Sequence, residues 1–211
     1  MRRSALLLDL DGTMVDSEPL QRAGYQAFFD GRGWTAPDLS IFTGRRAEDV
    51  FAVEPGPWSA ADHGVLADEI RGLVPRDAPP GAVPGAREAV QAAAAAGIPV
   101  AIVTSARPDW VTMAVGRGLD ILHLIDLVVT AEDVTDGKPD PAGFLLACSR
   151  LGVDPGAALA VEDSPAGVRA AVAARVGLVV AVTTSRTPEE LTDAGAHVVH
   201  PDLRGLPDLL T

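Results

Sequence analysis

A short apolar run that ends abruptly in two carboxylates constrains this chain more than any other feature. Residues 4–8 read SALLL, the length of a buried strand, and DLDGT follows at once. An apolar run that stops in turn residues is typical of a strand feeding a loop. We therefore expect Asp9 and Asp11 at a strand's carboxyl end, where Gly12 lets the backbone turn and the two side chains separate. Two such carboxylates can hold a divalent cation; the alternative is an Asx turn that only ends the strand.

Strand and helix patterns alternate over the second half of the chain. This alternation predicts an α/β fold, a doubly wound parallel sheet with helices on both faces. The predicted strands are 98–103, 127–129, 158–161 and 178–182, and the predicted helices are 86–96, 108–117, 141–151, one closed by Gly177, and a short one after the capping box at Thr187.

The segment between Leu20 and Arg76 has a different character. It lacks strong strand signals, and residues 21–29 and 62–74 carry apolar side chains at helical spacing. A turn at 43–49 contains Arg45 and Arg46, and the Pro/Gly-rich stretch 75–85 is typical of a linker. We predict a small helical insertion at 16–80, placed after the first strand and between the two parts of an α/β unit, 1–15 and 81–211.

The charge and composition of the chain limit the kinds of molecule that it can bind and the compartment that we expect for it. A formal net charge of −12 disfavours nucleic acid and anionic membranes, and an anionic substrate needs local cations. The chain has neither an 18-residue apolar span nor an N-terminal apolar run of signal-peptide length, so we expect a cytoplasmic protein, a monomer or weak homodimer. The single cysteine, Cys148, excludes an internal disulfide, and its apolar neighbours favour a buried packing role.

Lys138 is the only lysine among 17 basic residues. A lysine ammonium is a compact point charge on a flexible stem, which suits a phosphoryl or carboxylate oxygen in a tight site. The alternative is an ordinary surface cation. Its position in a loop beyond a predicted strand favours the site.

Polar residues follow four separate predicted strands. They are Asp9 and Asp11, Thr104 and Ser105, Lys138, and the pair Glu162 and Asp163. Ligand sites of open parallel sheets form beyond the carboxyl ends of the strands, so these residues are expected to converge. Each could be a cap or turn residue, but together they predict one site.

Four motifs in order carry a family resemblance. DLDGT (9–13), VTSA (103–106), DGKPDP (136–141) and VEDSPAG (161–167) resemble the four motifs of the haloacid dehalogenase superfamily of phosphotransferases. The likeness covers nearly the whole chain, and DSEP (16–19) resembles the usual entry to the family's small helical cap. The resemblance implies a Rossmann-like core and phosphoryl transfer.

The resemblance also implies residue roles. Asp9 is the expected nucleophile, which forms an aspartyl-phosphate, and Asp11 the expected acid and base. Mg²⁺ is expected on the Asp9 carboxylate, the Asp11 carbonyl and Asp163, with Glu162 beside it. The expected phosphoryl and substrate contacts are Gly12, Thr13, Thr104, Ser105, Ala106, Lys138, Arg45 and Arg46.

The implied function is a Mg²⁺-dependent phosphatase of a small phosphorylated metabolite, a sugar, polyol or similar phosphomonoester. Dehalogenases of the family typically lack the second aspartate, and its phosphonate hydrolases need a cap lysine, which residues 16–80 do not contain. The β-phosphoglucomutase-like members place a histidine where this chain has LQR at 20–22. A phosphomutase, and a phosphate-binding protein without turnover, are the alternatives.

Overall fold

Eight strands are present in residues 3–210, which are the residues that this computed structural model describes. Six of them form one parallel sheet, and β2 and β3 form a separate antiparallel ribbon. The bounds are β1 (Leu6–Leu8), β2 (Val15–Asp16), β3 (Gly81–Ala82), β4 (Val100–Val103), β5 (Leu127–Val129), β6 (Leu159–Glu162), β7 (Leu178–Val182) and β8 (Val198–His200).

The large sheet has the order β5-β4-β1-β6-β7-β8, which confirms the predicted doubly wound α/β fold. β1 lies in the middle, and its neighbours β4 and β6 lead to opposite halves of the sheet. Side chains of β1 alternate between two apolar clusters: Leu6 and Leu8 face one, and Leu7 faces the other. A strand buried on both faces reads as a continuous apolar run, as residues 4–8 do.

Helices cover both faces of this sheet. The helices that begin at residues 86 and 108 pack in the cluster with Leu6, and those that begin at residues 142, 165 and 188 pack in the cluster with Leu7. The helices are α1 (Glu18–Gly31), α2 (Ala47–Val53), α3 (His63–Leu73), α4 (Ala86–Ala95), α5 (Pro108–Val111, continued as a π-helix over Thr112–Leu119), α6 (Ala142–Leu151), α7 (Pro165–Ala173) and α8 (Pro188–Asp193). None of the helices in the described residues is long and apolar enough to cross a membrane.

Several local predictions need correction. Gly177 does not close α7, because that helix ends at Ala173 and Arg175 takes the left-handed conformation, with φ 59°. A Cβ at Gly177 would overlap the backbone of Gly156, so glycine is needed there for a close approach. β8 was not predicted, and α2 begins inside the predicted turn at 43–49.

Helices α1, α2 and α3 share a third, separate cluster that is rich in aromatic rings. Phe28, Phe29 and Phe51 are fully buried there, and Trp58 packs against Phe51 with ring centroids 5.2 Å apart. The unpredicted β2–β3 ribbon joins this helical segment to the sheet at the two points where the chain passes between them. The cap boundaries at 16 and 80 stay a prediction that this arrangement supports.

Candidate active site

The polar residues of the four motifs meet beyond the carboxyl ends of β1, β4 and β6. Asp9 follows β1, Thr104 follows β4, Glu162 ends β6, and Asp163 follows it. These four residues and Lys138 are all buried. Because β1 lies between β4 and β6, the site occupies the point where strand order reverses, as expected for an open α/β sheet.

Lys138 is the charge that holds the centre of this cluster together. Its Nζ lies 2.5 Å from Asp9 Oδ1 and 2.5 Å from Glu162 Oε1, and it donates to the Val103 carbonyl at 3.0 Å. Burial alone lowers the pKa of Lys138, but the charges of Asp9 and Glu162 outweigh it and raise the pKa above its usual range. The lysine therefore stays protonated at neutral pH, and the surface-cation alternative is wrong.

Asp9, Glu162 and Asp163 form a cluster with the chemistry of a divalent cation site. One carboxylate oxygen from each lies within 4.8 Å of the others. Both oxygens of Asp163 are buried without a hydrogen-bond partner among the described residues, and burial raises the pKa of Asp163 and of Glu162. Hard oxygen donors that lack a protein partner fit a hard cation, which supplies the positive charge they need.

Two glycines make room for these carboxylates. A Cβ at Gly12, where φ is +81°, would overlap the carboxylate of Asp163, and a Cβ at Gly167 would overlap that of Glu162. The first glycine belongs to DLDGT and the second to the start of α7. Both positions therefore require glycine for the packing of the acidic cluster, beyond any need of the turn.

The Asp11 side chain is held apart from this cluster. Its Oδ1 accepts hydrogen bonds from Ser17 Oγ at 2.6 Å and from the indole Nε1 of Trp110 at 2.8 Å. Burial raises the pKa of Asp11 to about 6, although the bonds from Ser17, Trp110 and Gln21 lower it. A carboxyl group with such a pKa can give and take a proton near neutral pH.

Ser17 and Trp110 were not predicted to contact the site. Ser17 lies in the DSEP segment, and it comes one residue before α1. Trp110 lies in the first turn of α5, which directly follows the VTSA motif. Its place behind that motif is the only sequence signal that could have pointed to it.

The residues that were predicted to contact the phosphoryl group differ in whether they face the cavity. Thr104 and Ser105 line the cavity beside Asp9 and Asp11. The amides of Gly12 and Thr13 bond within the turn, to the carbonyls of Val15 and Leu10, and Thr13 is fully buried. The Ala106 amide donates to Thr104 Oγ1 at 3.0 Å. The amides of Gly12, Thr13 and Ala106 thus bond within the chain in this structure, and their contact with a phosphoryl group stays a prediction.

A cavity of about 120 Å³ lies between the acidic cluster and the helical segment 18–73. Its wall is apolar at Tyr25, Phe42 and Ile70, and Arg45 and Arg71 add positive charge. The cavity is covered because the Gly44 loop lies on the core: Ser105 Oγ donates to the Gly44 carbonyl at 3.3 Å. A small organic group attached to a phosphate at Asp9 would extend into this space.

The two cap arginines have different positions. Arg45 lines the cavity, and its Nη1 is 3.9 Å from Glu54. Arg46 also lines the cavity, and its guanidinium donates to the carbonyls of Val134 and Thr135, at 2.9 and 3.0 Å, in the loop before Lys138. Arg46 thus fixes the Lys138 loop, and its contact with substrate stays a prediction.

Comparison with known proteins identifies the family. Residues 4–175 match the family model of the haloacid dehalogenase-like hydrolases. The chain belongs to this family. A hydrolase from Pseudomonas syringae has the same fold, with a TM-score of 0.84, 24% identity and coverage of 99% of this chain and 98% of that one. Hydrolases of this family generally use a divalent metal, which agrees with the buried acidic cluster.

Three curated relatives of this haloacid dehalogenase-like hydrolase show the range of the family. It is 35% identical to validoxylamine A 7'-phosphate phosphatase of Streptomyces hygroscopicus subsp. limoneus, over 89% of each chain. It is 31% identical to hexitol phosphatase A of Escherichia coli, over 89% of this chain and 87% of the relative. It is also 31% identical to β-phosphoglucomutase of Mycobacterium bovis, over 96% of this chain and 90% of the relative.

Proposed function

We propose that this hydrolase is a Mg²⁺-dependent phosphatase of a small phosphorylated metabolite, a sugar, polyol or similar phosphomonoester. The observation that carries the proposal is the pairing of two aspartates with separate environments in one cavity: Asp9 ion-pairs with Lys138, and Asp11 has a pKa raised to about 6. Two carboxyl groups with separate protonation behaviour can act as nucleophile and acid. The names of two relatives, validoxylamine A 7'-phosphate phosphatase and hexitol phosphatase A, agree with a phosphatase of a small phosphorylated metabolite.

The reaction follows from the positions of the two carboxyl groups. An oxygen of Asp9 attacks phosphorus, the bond from phosphorus to the leaving oxygen breaks, and that oxygen takes the Asp11 proton as the alcohol departs. Asp11, now ionised, removes a proton from water, and the resulting hydroxide attacks the aspartyl-phosphate. Phosphate leaves, and Asp9 and the protonated Asp11 are restored.

The cation would be held by the carboxylates of Asp9 and Asp163 and the carbonyl of Asp11, with Glu162 beside them. When bound it neutralises the charge of the phosphoryl oxygens, which otherwise repel a carboxylate nucleophile. Lys138, ion-paired with Asp9, adds a second positive charge, and the hydroxyl groups of Ser105 and Thr104 would donate to phosphoryl oxygens. Mg²⁺ suits this set because it needs few protein carboxylates.

Substrate choice is assigned to the cap, residues 16–80. Arg45 faces the cavity, so we assign it to the leaving group, and the apolar wall limits the size of that group. The phosphate ester is the only partner that this function requires. A cytoplasmic location and a monomeric or weakly dimeric state stay predictions.

A phosphomutase is the second candidate because one relative is named β-phosphoglucomutase. The segment after DSEP disfavours it, since Gln21 occupies the early cap region where mutase-like members carry a histidine. Its amide lies against the network around Asp11, 3.3 Å from Ser17 Oγ.

The test is turnover by the purified protein with Mg²⁺. We expect phosphate release from p-nitrophenyl phosphate and from members of a panel of hexose, pentose and polyol phosphates, and loss of release in excess chelator. Asp9→Asn should lose at least ~10²-fold in rate because an amide cannot form the acyl-phosphate. Asp16→Asn, a change at an exposed carboxylate outside the site, is the matched control and should keep full activity.

Two results would overturn this function. Conversion of β-glucose 1-phosphate to glucose 6-phosphate with a bisphosphate activator, faster than phosphate release, would assign the mutase. Absence of turnover on every ester, with Asp9 and metal intact, would assign the non-catalytic alternative.

A further inference from the structure

Trp110 is the one aromatic side chain that donates a hydrogen bond to a catalytic carboxyl group in the described residues. Its indole Nε1 lies 2.8 Å from Asp11 Oδ1, and the ring lines the cavity and is 6% exposed. The same oxygen accepts the Ser17 hydroxyl at 2.6 Å. One carboxyl oxygen thus accepts two donors.

The chemistry of the two donors differs. A serine hydroxyl can donate or accept, and it can rotate to receive a proton from a carboxylic acid. An indole N–H can only donate. Trp110 therefore requires Oδ1 of Asp11 to be an acceptor, and when Asp11 is protonated its proton must sit on Oδ2. With Ser17 alone, either oxygen could carry the proton.

Arg76, which follows the last helix of the cap, helps to hold the Trp110 indole in place. Arg76 ion-pairs with Asp109, the neighbour of Trp110, at 2.5 Å, and its guanidinium lies 5.8 Å from the indole centroid. The ring also belongs to the apolar cluster that contains Leu8 and Leu10. These contacts hold the indole and therefore the direction of its N–H.

We propose that Trp110 is a positioning residue for Asp11: it keeps Oδ1 as the acceptor, so that Oδ2 presents the proton to the leaving oxygen. This inference rests on the proposed phosphatase function. In the first chemical step the Oδ2–H bond breaks, the leaving oxygen gains that proton, and its bond to phosphorus breaks as the bond from Asp9 forms. Trp110 bonds only Oδ1, which neither gains nor loses a proton in this scheme.

The expected signature depends on the leaving group. An alkyl alkoxide needs protonation as it departs, whereas p-nitrophenolate leaves without it. Trp110→Phe should therefore lower kcat/KM for an alkyl phosphate by about ten- to a hundredfold, a part of the ~10²–10⁴ that general acid catalysis supplies. For p-nitrophenyl phosphate the loss should stay within about threefold. The slope of log kcat/KM against leaving-group pKa should become steeper in the variant.

Trp58→Phe is the matched control. Trp58 is also buried, at 2% exposed, and its Nε1 donates to the Glu54 carbonyl at 2.9 Å, inside the cap. This variant loses the same kind of bond away from Asp11, so the slope should equal that of the wild-type enzyme. A second variant places 3-benzothienylalanine at position 110, which keeps the bicyclic ring and replaces only the N–H by sulfur; it should reproduce the steeper slope with an unchanged thermal midpoint.

The outcomes separate the inference from the function it rests on. A steeper slope in both position-110 variants, but not in Trp58→Phe, supports the positioning role. Equal losses on alkyl and aryl esters in the benzothienylalanine variant overturn it, and so does an unchanged slope. Wild-type protein without turnover overturns the phosphatase function, and this inference with it.

Discussion

The sheet and the helical cap bury their apolar surfaces with different side chains. The two clusters on the faces of the sheet consist mainly of alanine, valine and leucine. Seven of the nine aromatic residues fall between residues 25 and 58, and these rings form the centre of the cap. Phe29 and Trp58 are typical, with ring centroids 5.9 Å apart.

The difference follows from the backbone hydrogen bonds that stabilise the sheet and that are absent between the helices of the cap. The sheet has parallel ladders of backbone hydrogen bonds, and small side chains let helices approach both of its faces. Three short helices have no such ladder between them, so each side chain must bury a large area, which aromatic rings supply. The chemistry divides in the same way: the sheet holds the carboxylates and Lys138, and the cap covers them.

The largest effect is expected on the sheet side, at Lys138. Lys138→Met leaves Asp9 and Glu162 facing each other without the buried cation, so we expect the protein to lose about 3–5 kcal/mol of stability. Lys138→Arg keeps the charge, but the planar fork does not fit between the two carboxylates, so activity should fall at least about tenfold. Denaturant unfolding and phosphate release measure the two quantities. Lys138→Arg activity within a few-fold of wild type would contradict this role.

The next prediction compares one buried ring from each unit. Phe51→Ala in the cap and Phe144→Ala beside the sheet should each cost about 3–5 kcal/mol, since both rings are almost fully buried. Their effects on turnover should differ. Phe144 lies 5.6 Å from Lys138 Nζ, so its loss should slow every ester, whereas loss of Phe51 should slow sugar or polyol esters more than p-nitrophenyl phosphate. Equal substrate profiles for the two variants would remove the functional contrast between cap and sheet.

A smaller effect concerns pH and the metal. Folding raises the pKa of Asp11 from 3.8 to about 6, and raises that of Glu162 and Asp163 as well. The folded state thus binds more protons than the unfolded state above about pH 4, so the metal-free protein should lose stability as pH rises through about 4 to 7. In the proposed function Mg²⁺ would bind the ionised groups, so the stabilisation it gives should grow over the same range.

Thermal midpoints in chelator and in Mg²⁺, from about pH 5 to 8, measure this effect. Lys138 does not add to this pH dependence. Its pKa is raised in the folded protein, so its contribution to the free energy of unfolding is constant below about pH 10. Asp163→Asn should flatten both curves. A metal-free midpoint that climbs with pH would show that the carboxyl groups have low pKa values in the folded protein.

The smallest effects are expected at Arg45 and Arg46, the two arginines before α2. Arg45→Gln should lower turnover of the preferred substrate by several-fold and spare p-nitrophenyl phosphate, because binding energy from the remote part of a substrate is lost. Arg46→Gln should lower both alike, since Arg46 bonds the carbonyls before Lys138. The ratio of kcat/KM values for the two esters distinguishes the variants. A selective effect at position 46 would return Arg46 to the substrate site.

Prediction from sequence was most successful where a motif follows a strand. Asp9, Lys138 and Asp163 lie together because parallel strands bring their carboxyl ends to one edge, and their roles stay predictions. It was least successful for contacts between residues far apart in the sequence and for strands too short to show a pattern. The β2–β3 ribbon has two residues a side, and the contact between Asp11 and Trp110 joins residues 99 positions apart.

The order of strands, helices and motifs in this chain determined the α/β fold, the acidic site and the family. These features depend on local periodicity and on residue types at fixed spacing, which a sequence displays directly. Only the tertiary structure decided which oxygen of Asp11 accepts Trp110, that Arg46 bonds the loop before Lys138, and that Gly12 must make room for Asp163. Those contacts depend on how the cap lies over the sheet and how closely backbones approach, and no short-range pattern in the sequence records either distance.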